Sequence, residues 1–105
     1  MEVLVVLTNL PDAASAERLA RQLIEQRLAA CVNQLAPCNS TYRWQGEIET
    51  ATEVPLLIKT TRAAYPLLEQ AIRAAHPYEL PEIVALPVAA GLPGYLAWVA
   101  QETGE

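Results

Sequence analysis

The sequence predicts an α+β fold in which two helices cover one face of a sheet, on three observations. Two apolar runs, residues 3–7 (VLVVL) and 54–58 (VPLLI), lack any polar alternation and read as strands covered on both faces. A segment with apolar residues at intervals of three and four follows each run and reads as a helix. Between the two helices, residues 29–60 show no helical period and read as a long β-ribbon turning at Gln45-Gly46.

Taken in order, the first strand ends at Thr8, and Asn9-Leu10-Pro11 reads as a loop. Asp12 suits an N-cap, because its carboxylate can accept from the unpaired N–H groups of a first helical turn. Ala16, Leu19, Ala20, Leu23 and Ile24 then mark one helical face, and Glu17, Arg18, Arg21, Gln22 and Glu25 the other. Glu17 stands four residues ahead of Arg21, a favourable acid-before-base pair. The helix ends near residues 26–28, where the ribbon begins. Its arms exceed the average strand, and a two-stranded ribbon does not hold itself up in water, so something must cover it.

The turn allows two registers. A two-residue loop with Gly46 second suits a type I′ turn and sets Arg43 opposite Ile48 and Trp44 opposite Glu47. A three-residue loop of Gln45, Gly46 and Glu47 sets Trp44 opposite Ile48 and Arg43 opposite Glu49. These are better cross-strand matches, and this second register is the expected one.

Past the ribbon, Thr60 or Thr61 caps a second helix with Ala64, Leu67, Leu68, Ala71, Ile72 and Ala75 on its apolar face. Proline is welcome only in a first turn, so Pro66 suggests that residues 62–65 form a separate turn. The helix stops before His76-Pro77, because the Pro77 ring disfavours helical geometry at the preceding residue. Residues 76–81 (HPYELP) are a rigid extended segment leading into a last strand over residues 82–86 (EIVAL). After a loop at Gly91-Leu92-Pro93-Gly94, a short helix carries Leu92, Leu96 and Val99, with Trp98 beside them. The first six elements are the ferredoxin-like β-α-β-β-α-β split unit, here with a C-terminal helix added. Residues 1–105 form a single domain. The second sheet face would carry half of the strand side chains into water, and self-association over that face is the economical answer.

Composition narrows the function. The chain is 52% hydrophobic, high for a small soluble domain and consistent with apolar surface hidden in an oligomer. Net charge is -5, Lys59 is the only lysine and no basic stripe exists, which disfavours nucleic acid as a partner. The apolar runs fall far short of the roughly 20 residues that span a bilayer. With no leader and cleavage signature either, no membrane partner is expected and a cytoplasmic location is. Cys31 and Cys38 are too few to staple a secreted fold, form no C-x-x-C pair and read as reduced, buried thiols. No nucleophile–base–orienter set, P-loop or G-x-G-x-x-G appears, so no enzyme is expected.

His76, the only histidine, lies at a helix end with Glu79 and Glu82 close by in sequence. Neutral imidazole is a common metal ligand and carboxylates can complete a site. The simpler reading of the residues alone is that a positive His76 favours the negative end of the helix before it, since one histidine makes a thin metal site. Tyr42 and Trp44 offer either a ligand platform or ordinary sheet packing. Glu47, Glu49 and Glu53 read as solvated charges of the hairpin.

Five segments stand out in this order: Leu28-Ala29-Ala30-Cys31-Val32-Asn33; Tyr42-Arg43-Trp44-Gln45-Gly46-Glu47-Ile48-Glu49; Ile58-Lys59-Thr60-Thr61; His76-Pro77-Tyr78-Glu79-Leu80-Pro81-Glu82-Ile83; and Tyr95-Leu96-Ala97-Trp98. Together they resemble the CutA divalent-cation tolerance family over nearly the whole chain. The resemblance implies a ferredoxin-like subunit assembled as a stable PII-like homotrimer, with sheets packed inward and long hairpins reaching onto neighbouring subunits. It implies a role in tolerance to divalent metals, chiefly copper. His76 matches a histidine of copper-binding members, whereas Thr8 and Ala75 stand where those members carry a cysteine and a second histidine. Thr8 is a hard, weak ligand and Ala75 is none. The expected site is therefore a weak one for a divalent metal such as Cu²⁺, made by His76 with Glu79 or Glu82. Two further readings are a PII-like sensor holding a small ligand in intersubunit clefts, and a trimer that anchors another protein.

Overall fold

The computed structural model describes residues 2–104. Its strands are β1 (Val3–Leu10), β2 (Cys31–Gln34), β3 (Cys38–Trp44), β4 (Glu47–Thr61) and β5 (Val84–Pro87), and its helices are α1 (Ala13–Glu25), α2 (Tyr65–Ala75) and α3 (Pro93–Glu102). The sheet runs β2-β4-β1-β5, every pairing antiparallel, with β3 paired to the far half of β4. With β2 and β3 counted as one interrupted strand, this is the strand order of the ferredoxin-like split unit.

The core lies between the sheet and the first two helices. Val6, Leu10, Val54, Leu56 and Ile58 meet Ala16, Leu19, Leu23, Leu68 and Ile72 there. Asp12 caps α1 as expected, its Oδ1 accepting from the Ser15 N–H at 2.8 Å. Ile24 and Leu67, at the margins of their apolar stripes, remain exposed. Neither Thr60 nor Thr61 caps α2, whose N-cap is Ala64 with no side-chain bond. Thr61 instead closes the turn before it, its Oγ1 accepting from the Ala64 N–H at 3.3 Å, and Pro66 falls in the first helical turn. That first turn needs no proline N–H, which is why the helix tolerates Pro66.

Four further expectations are corrected. β1 continues through Asn9 to Leu10, paired with Val54, because Leu10 has a core position to fill and only Pro11 ends the ladder. The first arm of the ribbon is two strands, broken at residues 35–37 around Pro37, which has no N–H to give a ladder. The last strand starts at Val84 and leaves Glu82 outside it. The hairpin takes the two-residue loop, setting Trp44 opposite Glu47 and Arg43 opposite Ile48. Gln45 and Gly46 both adopt left-handed backbone, φ 52° and 82°. That primed turn follows the right-handed twist of the strands, and it outweighs cross-strand gains of roughly 0.2–1 kcal/mol per pair.

Antiparallel partners share a sheet face, so Val5, Leu7, Leu57, Lys59, Cys31, Val84 and Leu86 look away from α1 and α2. The third helix packs against β4 and β1, and its Val99 is fully buried outside the main core. Tyr95 of α3 lies beside the Cys31 thiol on this second face. The helix covers only part of that face, and Val84 and Leu86 stay 45% and 53% exposed. Among the described residues no helix is long and apolar enough to cross a membrane.

Candidate functional site

The C-terminal end of α2 meets the end of β1 through His76. Its Nε2 lies 2.5 Å from the Asn9 carbonyl oxygen, and its Nδ1 lies 3.2 Å from the Tyr78 amide nitrogen. A carbonyl only accepts and an amide N–H only donates. The ring is therefore the neutral tautomer, protonated on Nε2, with its one nitrogen lone pair already engaged. Only 8% of His76 is exposed. The Asn9 side chain reaches the third member of the predicted set, donating from Nδ2 to Glu82 Oε1 at 2.9 Å. His76 and Glu82 thus share a neighbour, while exposed Glu79 lies on a different wall, described below.

These residues do not fit a closed metal shell. Among the described residues no group of three or more His, Cys, Asp or Glu side chains could hold an ion. Thr8, at the position where a thiolate would be the soft donor, is buried with a hydroxyl that finds no hydrogen-bond partner. Ala75 is exposed at the last position of α2. The thiols also differ from expectation: Cys38 is exposed, because the narrow β3–β4 ribbon has no second layer over it, and Cys31 is only half-buried beside Tyr95.

A second arrangement lies where the hairpin faces the segment after α2. Tyr42, Trp44, Glu49 and Ala51 from the ribbon and Tyr78, Glu79 and Leu80 from the segment enclose a cleft of about 400 Å³. The register explains the ribbon wall. Tyr42 and Glu49 are direct partners, and Trp44 and Ala51 lie two residues along on the same face. Tyr78 is held from behind by the His76 ring, centroids 4.6 Å apart and planes at 52°. Burial and the neighbouring Glu53 carboxylate raise the Tyr78 phenol above its usual range. Glu53 itself is 9% exposed, so the expectation of a solvated hairpin charge fails there. Sequence reasoning singled out Tyr42 and Trp44 but missed Tyr78. The available signal was its place in a Pro-bounded segment, which fixes the backbone without saying what it faces.

Comparison with known proteins agrees with this architecture. Residues 4–102 match the family described as CutA1 divalent ion tolerance protein. The divalent-cation tolerance protein CutA of Thermus thermophilus is 49% identical over 100 residues, covering 95% of this chain and 97% of that protein. The mouse protein CutA is 46% identical over 93 residues, and there the match spans 89% of this chain but only 52% of the relative. The solved structure of the Thermus thermophilus protein superposes with a TM-score of 0.95 at 48% identity, over 97% of this chain and 99% of that one. The fold, the five segments and these matches together make the chain a member of the CutA1 divalent ion tolerance family.

Proposed function

We propose that the chain acts as a non-enzymatic homotrimer in tolerance to divalent cations, copper foremost. Family membership supports the tolerance role. One observation carries the assembly: exposed Val84 and Leu86 continue a strip of half-buried Val5, Leu7 and Leu57 on the sheet face that α3 leaves open. Closed assembly of three copies over that face would remove the strip from water and leave the long β3–β4 ribbon to pack on a neighbour. A cytoplasmic setting suits the two free thiols, Cys31 and Cys38.

Metal binding in this proposal is weak. For His76 to serve as a ligand, Nδ1 must give up the Tyr78 N–H, whereas Glu82 meets Asn9 through Oε1 alone and keeps Oε2 for another partner. Two carboxylates and one imidazole still fall short of a closed shell. Calorimetric titration of Cu²⁺ into the wild type and His76→Ala at pH 7 tests this. Weak binding that drops in the variant supports the site. Equal affinity removes His76 from it, and no binding by either protein removes copper capture from the role.

The cleft favours a second reading, a PII-like trimer that holds a small ligand and signals or anchors through a partner. Its observation is the aromatic and acidic wall shared by the hairpin and the segment after α2.

A further inference from the structure

The cleft has a more definite chemistry than its size alone conveys. Its ribbon wall presents the Tyr42 and Trp44 rings with the Glu49 carboxylate, and its opposite wall presents Tyr78 and Glu79. No lysine or arginine lines it, and the chain as a whole carries net charge -5. Aromatic faces attract cations through the ring quadrupole, tryptophan most strongly. Carboxylates on both walls add to that attraction and repel a phosphate or carboxylate ligand. A bare hard cation is a poor fit, because it seeks oxygen ligands all round and most of this lining is aromatic or aliphatic carbon. Alkyl groups suit the remaining surface, Leu80 and Ala51.

We propose that this cleft binds a small organic cation of the alkylammonium class. The proposal names the ligand of the second reading above and rests on it. About 400 Å³ is within the range of small-molecule sites. The wall is built in advance of any ligand. Tyr42 and Glu49 are locked together by the β3–β4 register. Tyr78 is held by the His76 ring and by its own N–H donated to Nδ1, and His76 is in turn tied to Asn9 of β1. His76 is thereby a positioning residue for Tyr78, a use for the histidine that does not require a metal.

The probes are tetramethylammonium chloride and neutral tert-butanol, which is of similar size, titrated into the intact protein at constant ionic strength. The readout is the indole N–H signal of Trp44 in the proton–nitrogen spectrum, with Trp98 as the internal control. Tetramethylammonium should shift Trp44 saturably and leave Trp98 in place, and tert-butanol should bind at least ten-fold more weakly. Glu49→Gln combined with Glu79→Gln should weaken the cation at least five-fold while leaving tert-butanol unaffected. Equal binding of the two probes, or a cation affinity untouched by the double substitution, overturns the ligand class and leaves a ligand cleft standing. Silence of Trp44 toward both probes overturns the ligand class and the cleft reading together. If the double variant does not fold, the two-probe comparison on the wild type decides alone.

Discussion

His76 and Asn9 are 67 positions apart in sequence, yet the imidazole Nε2 and the Asn9 carbonyl oxygen meet at 2.5 Å. The contact ties the last turn of α2 to the end of β1. Asn9 is available for it because β1 runs on to Leu10. The same histidine accepts from the Tyr78 N–H and packs at a tilt against the Tyr78 ring, so one side chain joins the fold to the cleft wall.

His76→Ala should therefore destabilise the protein whether or not metal is present. The substitution leaves the Asn9 carbonyl and the Tyr78 N–H without their partner, at about 1–3 kcal/mol for each polar group stranded out of water. Denaturant unfolding in the presence of a chelator measures the loss. Stability equal to wild type would show that water replaces both bonds freely.

Gly46→Ala should cost about 1 kcal/mol or more through backbone strain alone. Gly46 has φ 82°, and a Cβ there would meet nothing within 4 Å. Gly94 supplies the contrast, since it lies within α3 with similar open space and no positive φ. Gly94→Ala should be neutral or stabilising, because alanine loses less freedom in a helix. Thermal unfolding of the two variants side by side checks the sign of each.

Asp12→Ala should lower the melting temperature at pH 7 by removing the bond that Ser15 N–H donates to the α1 cap. That bond, with the Ser15 hydroxyl beside it, holds the Asp12 carboxyl below its usual range. A depressed carboxylate stabilises fully above the unfolded value of about 3.9 and loses its effect as pH falls through the lower folded value. The gap between variant and wild type should accordingly close in strong acid. A gap that persists unchanged in strong acid would mean that Asp12 acts through packing.

Trp44→Ala should loosen the assembly as well as lower its melting temperature. The ring is half-buried in the isolated chain, at the last position of β3 with Glu47 across from it. The ring lines the cleft on one side; the hairpin tip has little of its own chain to cover the rest of it, and that remaining burial is assigned to a neighbouring subunit. Truncation of a buried tryptophan costs about 3–5 kcal/mol. A variant as stable and as associated as wild type would place the tip in solvent.

Much of this was legible in the sequence, for identifiable reasons. The two apolar runs, the Asp12 cap and the helix stop ahead of Pro77 are local signals, and each survives in the structure. Of the misjudged features, some depend on non-local partners and others on local turn chemistry that was underweighted. Leu10 extends β1 because Val54 and the core are waiting for it, which no residue near it announces. The hairpin register followed turn geometry where side-chain matching suggested another. The candidate site divided similarly: His76 and Glu82 converge on Asn9, but Glu79 turns to the cleft, because the segment after α2 bends across the ribbon.

Closure of the open sheet face with Val84 and Leu86 by two further copies of this chain is what the proposed assembly requires. Light scattering on a sizing column at micromolar concentration tests it most directly. Wild type should run at about three times the 11.5 kDa chain mass, and Leu86→Glu, which places a charge in that face, should shift the mass toward monomer. A wild-type mass of one chain or two would contradict it.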